Sequence, residues 1–185
     1  MNDNGGEGSP RLGTFAVLQY PRDALLLRRR ARTIRADEFG TPELLRFAQQ
    51  LGDTMLANRG IGLAATQVEE HPGGEVWAMF ALGAGEGRFG IVCNPSIEDV
   101  GDLRIGPEAC LSFASVPEAL QAPEALTVVG QEPEQGKFFR LVLSGVLARA
   151  AWHGREHLAS LLMIDNMSPM KKGLFLKAVA KARRR

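Results

Sequence analysis

Between residues 75 and 143 the chain holds short β-prone runs separated by turn formers, and helical stretches stand on both sides of that region. The runs are "EVWAMFAL" (75–82), "FGIVCNP" (89–95), "ALTVVGQ" (125–131) and "KFFRLVL" (137–143), each bounded by Gly, Pro, Glu or Ser positions that favour turns. "EPEQG" between the last two makes a hairpin turn. Ahead of them, "TPELLRFAQQLGDTMLANRG" predicts a helix. Thr41 caps it, Pro42 suits the first helical position, Glu43 meets the positive dipole end, and Gly60 stops it. Leu44, Phe47, Ala48, Leu51 and Met55 form its apolar stripe. A second helix is predicted from Ser144, as cap, to Leu162, and a third from Ser168-Pro169 to a basic end. The run "LGTFAVLQY" (12–20) reads as a further strand or extended segment. The class is α+β: antiparallel strands with a helix before and two after.

A length of 185 residues fits one domain, expected over residues 14–185, with enough core to fold without staples. The polar, Gly-rich start "MNDNGGEGSPRLG" (1–13) is expected to be a disordered tail. No run of about 18 apolar residues spans a membrane, and a net charge of +1 argues against broad nucleic-acid or membrane affinity. Two cysteines are too few for a disulfide framework, so a reducing, cytoplasmic location is expected. The cluster Arg28, Arg29, Arg30 and Arg32 is expected to be a solvated face.

Three segments carry chemistry. His153 and His157 are four residues apart on the second helix, so both rings reach one ion. Alone, that spacing also fits two surface or core histidines. Cys110 in "PEACLSF" is either a thiolate ligand facing a cleft or a small buried hydrophobe; Cys93, within a buried run, reads as structural. In "RGIGLAATQVEEH" small residues let backbone approach a ligand, and Gln67 can donate an amide to an oxyanion.

Taken together, in order and spacing, these segments resemble the peptide deformylase family. "GIGLAATQ" (Gly60–Gln67) matches the family's first motif at every position; "EACLS" (Glu108–Ser112) matches the second with Ala109 for glycine; "WHGREH" (Trp152–His157) matches the third with three departures. Similar text runs from about Phe15 to Lys172. The resemblance implies one divalent ion, Fe²⁺ or Zn²⁺ with Ni²⁺ and Co²⁺ as substitutes, held by Cys110, His153 and His157. It implies Gln67 and the Leu111 backbone N–H as oxyanion donors. It also implies Ile61, Gly62 and Leu63 beside the substrate, a formylated N-terminal methionine on a nascent peptide. A monomer is expected, with ribosome contact through the basic C-terminal helix (Lys171, Lys172, Lys177, Lys181, Arg183, Arg184, Arg185).

The departures bear on catalysis. Gly154 stands where the family carries its proton-transferring glutamate, and helix propensity gives no reason for a glycine there. General acid–base catalysis is typically worth ~10²–10⁴-fold, so turnover is expected to be weakened or altered. The alternative is a catalytically impaired metal-binding paralog that binds peptides or ribosomes. Glu156 is a candidate substitute base, but at ~100° per residue it flanks the histidine pair on the side opposite Gly154, where orienting neighbours suits it better. Trp152 adds bulk near the site. No arginine lies between Arg104 and Arg140, so Glu108 is expected to lack its charge partner.

Overall fold

The computed structural model describes residues 13–69 and 71–184, so the expected N-terminal tail falls almost wholly outside the described residues. In chain order the elements are α1 (Ala24–Leu27), α2 (Pro42–Ala57), β1 (Gly62–Ala64), β2 (Met79–Gly85), β3 (Arg88–Glu98), β4 (Leu103–Glu108), β5 (Glu118–Pro123), β6 (Ala125–Gln131), β7 (Phe138–Ser144), α3 (Gly145–Leu158) and α4 (Pro169–Ala182). Five strands make one antiparallel sheet in the order β1-β2-β3-β6-β7, and β4 pairs with β5 in a separate hairpin.

Strand periodicity divides the core. Successive side chains of β2 point to opposite faces. Met79 and Ala81 therefore join the cluster under α2 with Leu44, Phe47, Leu51 and Met55, while Phe80 and Leu82 join the cluster under α3 with Val92, Val128, Ala148 and Ala151. The sheet is thus sandwiched between α2 and α3. A third cluster, Leu27, Phe113, Leu120, Leu162, Phe175 and Val179, ties α4 to the hairpin and to the loop after β4.

The helix caps bear out local chemistry in part. Thr41 accepts from the Leu44 N–H and Ser168 from the Lys171 N–H. Ser144 precedes α3 but makes no capping bond, and α3 ends at Leu158 rather than 162, followed by a 3₁₀ turn over Met163–Asn166. The β6–β7 turn is held by the Glu132 carboxylate, which accepts from the N–H groups of Glu134, Gln135 and Lys137. Of the strand and extended-segment readings of that run, the described residues 13–20 form no named strand, and Val17 makes a single bridge to Val68. The arginine cluster is a solvated face only in part: Arg28 and Arg30 are exposed, but three of the four side chains are held. Arg28 grips Asp165, Arg29 donates to the Val68 carbonyl, and Arg32 is bound by Glu38 and Glu75.

Candidate metal centre

α3 and the loop following β4 bring three ligand-type side chains together. Cys110, His153 and His157 place one ligand atom each within 4.8 Å of one another. Cys110 Sγ is 3.4 Å from His157 Nε2, which is 3.1 Å from His153 Nε2. An ion bonded at ~2.3 Å to sulfur and ~2.05 Å to nitrogen in tetrahedral geometry separates its ligand atoms by about 3.6 Å (S···N) and about 3.3 Å (N···N). The observed separations fit a divalent cation. The helical spacing turns both rings to one side, as the sequence implied.

The electrostatics agree with the geometry. Burial opposes charge at Cys110, yet His157 and His153 outweigh it and bring the thiol down to about 5. Burial also opposes protonation of His153, but Cys110, with the Glu108 carboxylate, lifts it to about 10. A thiolate and the imidazolium it favours balance one another here, and a divalent cation bound between them would take the place of the imidazolium proton. Cys93 behaves in the opposite way: burial pushes its thiol up to about 12, as befits a structural residue.

Gln67 sits behind the sulfur. Its Oε1 accepts from the Ala64 N–H at 2.9 Å, which aims Nε2 at Ser112 Oγ (3.2 Å) and Cys110 Sγ (3.4 Å). Beside this group lies a cleft of about 520 Å³. Its walls are Gly60, Ile61, Gly62 and Gln67 on one side, Pro107 to Leu111 on another, and Val146, Arg149, Ala150, His153 and Gly154 of α3 on the third. Ile61 and Gly62 face the cleft, whereas Leu63 turns its side chain into the core. β1 is an edge strand, and on its outer side the Ala64 N–H is taken up by Gln67. A Cβ on Gly62 would lie 3.5 Å from Ala150 Cβ, so the first-motif loop runs close against α3.

Two expectations about neighbours are corrected. Glu108 does have a charge partner: Arg149, on α3 itself, donates to its Oε1 at 3.0 Å. The same guanidinium donates to the carbonyls of Arg104, Gly106 and Leu120, locking the helix to the β4–β5 hairpin. Glu108 Oε2 lies 3.5 Å from His153 Nδ1, a charge contact rather than a hydrogen bond, since that nitrogen has no bonding partner. Arg149 precedes His153 by one helical step of four residues, a signal the sequence carried. Trp152 does not line the cleft; it packs on the cluster under α3, with the Arg155 guanidinium 5.9 Å from its ring centroid.

Glu156 is buried on the far flank of α3, where its Oε1 accepts from Asn166 Nδ2 at 3.0 Å, and it does not line the cleft. Glu108 is the one carboxylate among the described lining residues.

A two-histidine helix set against a cysteine-bearing loop makes a candidate centre for one divalent ion. The chain belongs to the polypeptide deformylase family, whose model matches residues 14–173. It is 36% identical over 124 residues to a peptide deformylase of Caldicellulosiruptor bescii, covering 67% of this chain and 70% of that protein. It is 30% identical over 173 residues to one from Stenotrophomonas maltophilia, covering 94% and 98%. The crystal structure of a peptide deformylase from Legionella pneumophila superposes with a TM-score of 0.80 over 93% of this chain and 96% of that one, at 24% identity, a likeness of fold. The family is one of metal-dependent hydrolases, and the Cys110–His153–His157 group fits such an ion.

Proposed function

We propose that this chain hydrolyses the formyl amide of formyl-methionyl peptides at a turnover well below that of glutamate-bearing relatives. The observation that supports this reading is the Cys110–His153–His157 group beside a cleft whose one carboxylate among the described lining residues, Glu108, is held by Arg149, while position 154 is glycine. A divalent ion, Fe²⁺ or Zn²⁺, held by Cys110, His153 and His157 would polarise the formyl carbonyl and acidify a water. Gln67 Nε2 and the Leu111 N–H donate to the oxyanion as it develops. The outer edge of β1, with Ile61, Gly62 and Leu63, pairs with the peptide backbone. Glu156, turned to Asn166, is assigned an orienting role on α3 rather than proton transfer.

The test is formate release from a formyl-methionyl peptide by protein of measured metal content. The expected kcat is ~10²–10⁴ below that of a relative with the glutamate. Turnover equal to such a relative would overturn the weakened-catalysis part, and metal-loaded protein with no release at all would overturn the hydrolase part. That second result would leave the other reading, a metal-bearing peptide binder, which the glycine at 154 also favours. For partners, the exposed Lys177 and Lys181 of α4, with Arg184 just past its end, favour ribosome contact. Cosedimentation with ribosomes that weakens steeply with salt is the expected result.

A further inference from the structure

Gly154 has a packing reason that helix propensity could not supply. A Cβ built on it would lie 3.2 Å and 3.3 Å from Cγ and Cδ1 of Phe80 and 3.5 Å from its Cβ. Phe80 cannot readily give way. It is 1% exposed, is the second residue of β2, pairs with Ala64 of β1 on one side and Val92 of β3 on the other, and belongs to the cluster that includes Val128, Ala148 and Ala151. Interiors this dense transmit a misfit of a few tenths of an ångström instead of absorbing it. We infer that Phe80 is the residue that excludes a carboxylate from position 154, so that Gly154 and Phe80 are one coupled unit and a proton acceptor returns to this site only when both change. The catalytic half of the inference rests on the function proposed above; the packing half stands on the geometry alone. Phe80 is accordingly a positioning residue: its ring fixes which side chains α3 can present beside His153.

The packing half gives a sign reversal. A glycine inside a helix ordinarily gains stability when replaced by alanine. Here Gly154→Ala is expected to lower the melting temperature by about 2–6 °C, the size of an overpacked core site in a chain of this length. In a Phe80→Leu background the same change should raise it. An equal rise in both backgrounds would overturn the inference. Phe80→Met serves where Phe80→Leu fails to fold. The catalytic half is read on metal-loaded protein by formate release. Gly154→Glu alone should give little gain in kcat. Gly154→Glu with Phe80→Leu should give at least about tenfold more, with KM unchanged, and should add an acidic limb to the pH–rate profile. A full gain from Gly154→Glu alone would overturn the inference. A stability reversal without any gain in either variant would support the coupling and count instead against the proposed function.

Discussion

Arg149 makes five contacts, four to carbonyl groups and one to the Glu108 carboxylate, and at each end it holds something the site needs. Its side chain is 12% exposed and that of Glu108 is 9%, so this pair is largely out of water. Removing one partner of such a pair leaves the other buried and uncompensated, which costs about 3–5 kcal/mol. Arg149→Ala is therefore expected to lower the melting temperature by about 6–20 °C and to loosen His153 beside Glu108. Thermal denaturation of that variant against Arg149→Lys checks it; lysine keeps the charge but not the fork, and should recover only part of the loss. The histidine pair was legible at this scale because helical spacing is a local property, whereas Cys110 joined it only through the resemblance of three distant motifs; the structure brings the three side chains together. The Arg149 pairing was less legible because the partner of Glu108 stands 41 residues further on, one helical step before His153. The ring of Phe80 against Gly154 left no trace in the sequence, since a strand and a helix meet there only in the folded state.

At the scale of elements, α2 and the β6–β7 hairpin followed from caps, proline placement and turn chemistry. Strands β4 and β5 did not. "LRIGPE" and "EALQAP" carry glycine, prolines and alanines without clear alternation, and they form because six residues of each pair in register while Arg149 holds their carbonyls. The short segment before α2 is fixed in a different way. Arg32 bonds to Glu38, and that carboxylate also accepts from the Arg35 N–H and Trp77 Nε1. Together they hold Glu38 down to about 2, with the Arg32 bond the main cause. Its folded value lies below the unfolded one, so the stabilisation is complete above about 4.5 and is lost as pH falls towards 2. Melting temperature should decline across that window, and Glu38→Gln should flatten the decline while lowering stability at pH 7. An unchanged acid limb in that variant would count against the assignment.

Across the whole molecule the ligand set joins parts that are distant in sequence. Cys110 follows the β4–β5 hairpin's first strand, and both histidines belong to α3, so an ion there clamps hairpin to helix. Anything bound by the folded state alone stabilises it by mass action. Zn²⁺ or Fe²⁺ should raise the melting temperature, by several degrees at ~100-fold excess over Kd, chelation should reverse the rise, and Cys110→Ser should abolish most of it. This holds whatever the turnover. The far end of the chain meets the same loop from behind: Arg183, at the C-cap of α4, donates to Gln19 Oε1 and to the Ser112 carbonyl. Gln19 in turn donates to the Leu111 carbonyl. The last turn of α4 is thus a lever whose short arm ends two residues from the Cys110 sulfur, and a load applied to that helix by a docked assembly would be delivered to the cysteine loop before it reached the sheet.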